Sequence, residues 1–377
     1  MKKHKICIAG GGLTGLISAL ILSNKGLDVD FIAEDNRTKV KDIRVTAISE
    51  KNLEFLKSNL KNLNLKLFYP VKKINLFFEK DNKISNFLNF DEENNLMYFF
   101  ENNPFKEVLT KLLKKSNIKI INQTIKSINI DTNIITTNKF VKSYDLIILC
   151  LGSKSPLYQK ISGNREIKKD YKEHSITCSV KHKIKQDVSA KQFFLKEGPL
   201  AILPFKKNEF SVVWSLENIF YKSYQKNLNI RLKSKIANLL NIEKFSIGKI
   251  QSYPLKLSLK RNYYKKNTII LGDGLHVVHP LAGQGFNLIL RDIKIIVDLI
   301  CYNLQLGLSI KDSNIPKKFA DNRKPENILL GLGIDTTRQF FKSNKYLDPL
   351  KEDILNNFSK FKILKRITKR VANIGLN

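Results

Sequence analysis

The segment GDGLHVVHPLAGQGFNLILRD, residues 272–292, decides how the chain is interpreted. It follows the apolar run 267–271 (NTIIL), which predicts a buried strand ending at Gly272 and Asp273. Gly272 would let the backbone pass close to a ligand, and Asp273 is an acceptor suited to ribose or ribityl hydroxyls. A loop of small residues then opens a helix predicted over 286–299, whose N-terminus favours negative charge on a ligand. The loop and first helical residues are Pro280, Ala282, Gly283, Gln284, Gly285, Phe286 and Asn287.

A second glycine-rich turn lies near the start of the chain. The strand predicted over 5–9 (KICIA) leads into Gly10, Gly12 and Gly15, with Leu13 and Thr14 between the last two, and then into a helix. This is the GxGxxG spacing in its strand–turn–helix context, in which a dinucleotide pyrophosphate rests on the helix N-terminus. The next strand, 28–32, should end at an acid that binds the adenosine ribose. Glu34 is the candidate, with Asp35 as the alternative.

Length, cysteine usage and charge exclude several classes of protein. At 377 residues the chain can bury a large core, and we expect two intertwined domains. No apolar run reaches the roughly 18 residues of a transmembrane helix, and the first strand is too short for a signal peptide. Four scattered cysteines favour a reducing cytoplasm and no metal site. The net charge of +32 would suit anionic partners, but the lysines are spread without a nucleic-acid motif, so we expect no nucleic-acid binding.

The C-terminal stretch 359–377 has apolar residues at helical spacing and lysines and arginines largely elsewhere around the helix. Two interpretations are equally open. The helix lies in a membrane interface, which would place the protein on the inner face of a membrane, or it docks on the protein core with a basic outer face.

The predicted elements group into three regions. Residues 1–70, 104–171 and 257–316 alternate strands and helices and form the nucleotide-binding domain, while 71–103 and 172–256 supply mostly antiparallel strands of a substrate domain. Residues 317–377 are predicted to be helical. Within the second region, a strand is predicted over 248–253 and helices near 223–241.

With both glycine-rich turns in place, the chain resembles the FAD-dependent aromatic hydroxylases, in the branch related to 2-polyprenyl-6-methoxyphenol hydroxylase of ubiquinone biosynthesis. The similarity runs nearly end to end and includes 44–48 (RVTAI), 198–204 (GPLAILP), 213–215 (VWS) and 335–341 (DTTRQFF). The resemblance implies an α/β fold: a Rossmann-like FAD-binding domain, an inserted, mostly antiparallel β domain as in p-hydroxybenzoate hydroxylase, and a helical C-terminus. It also implies that Arg44 lies near the flavin, although a surface arginine before a helix is the alternative.

One segment departs from the pattern of these hydroxylases. They usually carry an Asp-Gly pair after the strand that here ends at Cys150, followed by a Ser and then an Arg, and this segment is associated with FAD and the reduced pyridine nucleotide. This chain keeps Gly152 and Ser155, but the Asp position is Leu151 and the Arg position is Tyr158. The departure puts direct reduction by NADPH in doubt and makes a separate electron donor an alternative.

The resemblance implies hydroxylation of a polyprenylated phenol, in which reduced FAD and O₂ form a C4a-hydroperoxide that the ring attacks. The cofactor carries the chemistry, so the protein supplies binding, orientation and a dry pocket. Pro280, His279 and Gly283 are the candidates beside the reacting atoms, and Phe194, Pro204 and Trp214 are candidates for the substrate face. Each could equally serve the core. Partners would be a membrane surface and other quinone-biosynthesis enzymes. The alternatives are another flavin oxidoreductase of the superfamily, such as a reductase or halogenase, and a degenerate flavoprotein scaffold.

Overall fold

The structure is a computed structural model that describes residues 4–34, 41–163, 165–183 and 189–342. Its helices are α1 (Leu13–Asn24), α2 (Glu50–Asn59), α3 (Asn102–Lys115), α4 (Gln159–Ser162), α5 (Asn218–Tyr224), α6 (Leu228–Leu240), α7 (Gln284–Gln305) and α8 (Ile315–Phe341). Its strands are β1 (Lys5–Ala9), β2 (Asp28–Ala33), β3 (Val45–Ser49), β4 (Tyr69–Val71), β5 (Lys73–Lys80), β6 (Lys83–Asp91), β7 (Met97–Glu101), β8 (Lys119–Asn122), β9 (Ile125–Asn129), β10 (Ile134–Thr137), β11 (Val141–Ser143), β12 (Leu146–Leu149), β13 (Glu166–His182), β14 (Ala190–Leu195), β15 (Gly198–Lys206), β16 (Glu209–Glu217), β17 (Phe245–Ile247), β18 (Gln251–Lys260), β19 (Tyr264–Lys265), β20 (Thr268–Ile270) and β21 (His276–Val277).

A six-stranded sheet carries both glycine-rich turns. Its strand order is β19-β20-β12-β1-β2-β8, and every neighbouring pair is parallel except the edge pair β19–β20. Residues 6–9 of β1 are fully buried, as expected for a parallel sheet covered on both faces. Because β1 and β20 run in the same direction, the turns that follow them emerge at one edge, where open α/β sheets bind their ligands.

A nine-stranded sheet forms the other half of the molecule. Its order is β21-β18-β13-β16-β15-β14-β5-β6, with β17 beside β13, and neighbours are antiparallel except β14 and β5. One face is covered by α6, whose Leu232 and Ile236 pack with Trp214 in a core of their own. The opposite face lies over a large cavity. The predicted fold class, a Rossmann-like sheet with an inserted antiparallel domain, is therefore confirmed.

Most predicted elements occur close to their predicted bounds, and the exceptions have local reasons. The strand predicted over 248–253 begins instead at Gln251 and continues past Pro254 to Lys260, with residues 257–259 buried and the strand paired with β13 as far as Lys260. In the range 71–103, β5 and β6 join the nine-stranded sheet, whereas β7 pairs with β3 and β4. The domain boundaries themselves remain a prediction. Helix α8 accounts for the helical C-terminus up to Phe341, and the basic stretch 359–377 lies outside the described residues.

Candidate functional site

The three glycines of the first turn have different surroundings. Gly10 has φ of +124°, and a Cβ there would lie 2.2 Å from the carbonyl oxygen of Cys150. A Cβ at Gly15 would lie 2.0 Å from the carbonyl oxygen of Gly10, so helix α1 packs directly on the turn. A Cβ at Gly12, by contrast, meets no described atom within 4 Å, and Gly12 lines the cavity. Gly10 and Gly15 therefore allow close packing, whereas Gly12 leaves room for a ligand, and its contact with a pyrophosphate stays a prediction.

The second turn lies directly against the first. Gly272 has φ of +74°, and a Cβ there would lie 2.8 Å from the Oγ1 atom of Thr14. Asp273, the next residue, lines the cavity together with Leu13 and Thr14. The two motifs, at opposite ends of the sequence, thus form one continuous wall.

The acidic residue predicted to bind the adenosine ribose does not line the cavity. Strand β2 ends at Ala33, and Glu34 follows it on the exposed surface, apart from the described residues that line the cavity. Asp35 lies outside the described residues. The contact of Glu34 with the adenosine ribose stays a prediction.

The loop before α7 continues the wall. Pro280, Gly283, Gln284, Gly285, Phe286 and Asn287 line the cavity, and Ala282 sits in the short 3-10 turn between Leu281 and Gly283. The Asn287 side chain accepts hydrogen bonds from the Ser49 N–H at 2.9 Å and the Asn52 amide at 2.8 Å, and donates to the Gly283 carbonyl at 3.2 Å. Asn287 therefore fixes the start of α7 to β3 and α2, and holds the loop in place.

Arg44 presents a positive charge to the cavity. Its Nε and a terminal nitrogen donate to the two carboxylate oxygens of Asp42, each at 2.8 Å, and its guanidinium lies 5.7 Å from the ring centre of Tyr253. Burial would raise the pKa of Asp42, but the hydrogen bond and charge of Arg44 lower it overall. The pair is thus ionised, and half of the Arg44 side chain stays exposed at the cavity, where an anion can approach it.

The cavity has a volume of about 2520 Å³ and extends from both turns across the nine-stranded sheet. Strand pairing places Thr177, Val213, Ala201, Gln192 and Leu76 in one row across its floor. The side chains in this row become larger along it, from Thr177, Val213 and Ala201 to Gln192 and Leu76. Beyond it lies an apolar end built by Phe87, Phe194, Val278, Leu281, Ile334, Phe340 and Phe341.

The three substrate-face candidates divide between the two faces of the sheet. Phe194 lines the cavity and stacks on Phe341 with ring centres 3.6 Å apart. Trp214 and Pro204 are a correction to the sequence interpretation, because both lie on the face opposite the cavity. Side chains alternate along a strand, so Val213 faces the cavity while Trp214 is fully buried against α6.

His279 has no nitrogen to offer a ligand. The Leu281 N–H donates to its Nδ1 at 3.2 Å, and its Nε2 lies 3.0 Å from the Oε2 of Glu173. The side chain is fully buried, and burial lowers the pKa of His279 although Glu173 acts against this. His279 thus lines the cavity with both ring nitrogens engaged, and its role beside the reacting atoms stays a prediction. His276 differs, because its Nε2 lies 2.7 Å from a carboxylate oxygen of Asp292 while its Nδ1 is buried without a hydrogen-bond partner among the described residues.

Tyr158 fills the position where related hydroxylases have an arginine. Its ring is buried beneath the second turn, where a Cβ on Gly274 would lie 2.4 Å from the phenol oxygen. Its neighbours Gly152, Ser153 and Lys154 line the cavity. A buried phenol offers no positive charge to a nucleotide phosphate, so the departure seen in the sequence is also a departure in structure.

Two negative findings apply to the described ranges. No group of three or more His, Cys, Asp or Glu side chains is placed to hold a metal ion. None of the helices in the same ranges is both long and apolar enough to cross a membrane.

Comparison with known proteins gives a matching family model and several sequence relatives. A family model described as squalene epoxidase matches residues 222–368. The ubiquinone biosynthesis monooxygenase COQ6 of Dictyostelium discoideum is 27% identical over 455 residues, covering 96% of this chain and 90% of that protein. The 3-demethoxyubiquinol 3-hydroxylase of Escherichia coli is 29% identical over 166 residues, covering 42% of this chain and 41% of that protein.

Solved structures show the same fold at low identity. The p-nitrophenol 4-monooxygenase PnpA of Pseudomonas putida superimposes with a TM-score of 0.79 at 14% identity, covering 99% of this chain and 98% of that one. CtdE, solved with FAD and a substrate, superimposes with a TM-score of 0.74 at 13% identity, covering 97% of this chain and 100% of that one.

The fold is the one seen in these solved structures. The sequence relatives confirm the predicted resemblance: the chain is similar to monooxygenases and hydroxylases of ubiquinone biosynthesis.

Proposed function

We propose that this protein is an FAD-dependent monooxygenase that hydroxylates the aromatic ring of a polyprenylated phenol in ubiquinone biosynthesis. The observation that carries the proposal is the contact of Gly272 with Thr14, which joins the two glycine-rich turns into one wall of a cavity with an apolar end. The ubiquinone-biosynthesis relatives support the substrate class.

The residues present fit FAD. The open space at Gly12 and the N-terminus of α1 suit the pyrophosphate, with Leu13 and Thr14 beside it. Asp273 suits the ribityl hydroxyls, and the loop from Pro280 to Asn287 suits the isoalloxazine ring, whose negative charge on reduction the start of α7 would stabilise. When bound, FAD supplies the redox chemistry that transfers one oxygen atom from O₂ to the ring.

The rest of the cavity suits an aromatic ring with a long apolar tail. Val213 and Ala201 are paired on neighbouring strands and line the cavity, and their side chains leave space above the sheet for the aromatic ring of a substrate. Phe194, Phe341 and their apolar neighbours would hold the isoprenoid carbons and exclude water from the ring. The chain itself thus orients the ring and keeps the reacting atoms dry.

We propose that electrons come from a separate donor, with direct reduction by NADPH as the alternative. Two residues of one segment support a separate donor. Leu151 and the buried Tyr158 replace the acid and the arginine that related hydroxylases use in the segment associated with the pyridine nucleotide. Lys154 still lines the cavity nearby, which keeps the alternative open.

Association with a membrane surface is a further part of the proposal. Leu329 on α8 lines the cavity yet is 60% exposed, and Leu332, on the next turn of the helix, is 39% exposed, so two apolar side chains of α8 are exposed near the cavity. The net charge of +32 would favour an anionic lipid surface. A cytoplasmic location on the inner face of the membrane, beside other quinone-biosynthesis enzymes, fits this arrangement.

The test is to purify the protein, measure its flavin content, and follow oxygen uptake with a prenylated phenol. NADPH is supplied first, and then reduced ferredoxin. We expect one FAD per chain, a hydroxylated product, and faster turnover with ferredoxin. Bound FAD with no hydroxylated product from either donor would favour the scaffold alternative, for which Leu151 and Tyr158 are the supporting observation.

A further inference from the structure

We propose that Glu173 is a positioning residue for the proposed reaction. Its carboxylate holds His279, and through it the loop that carries Pro280 and Gly283, at a fixed distance from helix α8. The inference rests on the proposed function, because this loop is the one expected to face the flavin.

The hydrogen bonds of His279 determine its tautomer. Since Nδ1 accepts from the Leu281 N–H, the ring proton is on Nε2, and it is donated to the Oε2 of Glu173 at 3.0 Å. The imidazole thus links β13 to the backbone of the loop just after Pro280. A loop held by both ring nitrogens of a buried side chain has little freedom to shift.

A β-bulge aims Glu173 at this histidine. The pairing of β13 with β18 shifts register between Asp170 and Glu173, and Lys172 has φ of +52°. Bulges of this kind redirect a side chain and are frequent beside active sites. Glu173 is 3% exposed, so its charge is turned inward rather than toward solvent.

The second carboxylate oxygen of Glu173 accepts from Arg338 of α8, with Nε at 3.0 Å. The Arg338 guanidinium lies 4.6 Å from the ring centre of Tyr171, whose ring meets His279 edge-on at 5.2 Å. One turn away, Asp335 accepts from Lys169 of β13 at 2.9 Å. These are the charged and titratable groups that face Glu173 from the elements packed on it.

Glu173, His279 and Arg338 together form a clamp that connects the two walls of the cavity. Ile334, Thr337 and Phe341 of α8 line the apolar end, and Pro280 and Gly283 line the end with the glycine-rich turns. Glu173 binds both walls through His279 and Arg338. It therefore sets the spacing in which the substrate ring meets the flavin, without contacting either.

The first test is the coupling of oxygen consumption to product in the FAD-loaded, full-length protein. Glu173→Gln should lower hydroxylated product per O₂ consumed by about tenfold or more, since small misplacements are costly, while KM changes by less than about threefold. The matched control is Glu326→Gln, which also removes a buried glutamate paired with arginines of α7 and α8 but lies apart from the cavity lining. It should leave the product ratio unchanged. An equal loss in both variants would overturn the proposal.

A double variant separates positioning from stability. Glu173→Gln leaves the Arg338 charge buried without its acid, so the melting temperature should fall. Adding Arg338→Met removes that charge and should restore the melting temperature, but not the product ratio, because the link from residue 173 to α8 is then absent even where the glutamine amide oxygen still accepts from His279. Recovery of both together would show that Glu173 has a purely structural role.

The tautomer of His279 can be determined without an activity assay. The chain has five histidines, so ¹⁵N-histidine NMR of the full-length protein is tractable, with His279→Asn for assignment. We expect His279 neutral with its proton on Nε2 at pH 7.5, and an altered signal in Glu173→Gln. A proton on Nδ1 would overturn the clamp. The expected signal in a protein that binds no FAD would support the clamp and refute the proposed function instead.

Discussion

Gly272→Ala measures the contact between the two glycine-rich turns. At φ of +74° an L-residue is strained by about 1–2 kcal/mol. The new Cβ would also lie 2.8 Å from Oγ1 and 3.1 Å from Cγ2 of Thr14, and such overpacking costs about 1–3 kcal/mol. The sum predicts that the free energy of unfolding falls by about 2–5 kcal/mol. Urea denaturation of the protein without added FAD measures it.

Gly307→Ala is the matched control. Gly307 has nearly the same φ, +72°, but a Cβ there meets no described atom within 4 Å, so the variant should show the strain alone. Thr14→Ala removes the two nearest atoms, leaving only its Cβ at 3.3 Å, and should recover about 1 kcal/mol or more when combined with Gly272→Ala. If Gly272→Ala were no more destabilised than Gly307→Ala, or if Thr14→Ala gave no relief, the two turns would not be in contact.

Further predictions concern the ligand sites and pH. Gly12→Ala should leave the melting temperature within about 2 °C, because its Cβ meets no described atom, yet weaken FAD binding about tenfold or more in a fluorescence titration. Phe194→Ala should raise KM for a prenylated phenol severalfold, whereas Trp214→Phe should lower stability and leave KM unchanged, since only Phe194 of the two lines the cavity. Burial lowers the pKa of His279 from its ordinary value of 6.5, so below pH 6.5 the unfolded chain takes up a proton that the folded chain does not. The free energy of unfolding, measured by urea titration, should therefore be complete above pH 6.5 and fall toward pH 5. The fall should be less steep in His279→Asn. Burial also lowers the pKa of His182, which should account for the pH dependence that remains in this variant.

The parts of the fold that sequence could predict are those encoded by local pattern. The strand–turn–helix around Gly12 needs three glycines at fixed spacing, all of them close together in the sequence. Helix α2 is local in the same way, because Ser49, the residue just before it, caps its first turn. The two turns could be paired only through family resemblance, since nothing local in either one specifies the other. Their contact through Thr14 follows from the parallel order of β1, β12 and β20.

What the sequence could not show depends on contacts between distant residues. Glu173 meets His279 across 106 positions and Arg338 across 165, and only the folded chain shows that all three are neighbours. Trp214 shows a different limit. Alternation predicts that it and Val213 face opposite ways, but the two faces of a strand buried on both sides look alike in sequence. The covering helix α6 decides which face is core.

A crystal structure of the FAD-loaded protein tests the central claim most directly. The account predicts one FAD per chain, with its pyrophosphate at the backbone of Gly12 and Leu13, its ribityl chain at Asp273, and its ring against the loop from Pro280 to Gly285. A protein that takes up no flavin, or a flavin bound away from either turn, would contradict it.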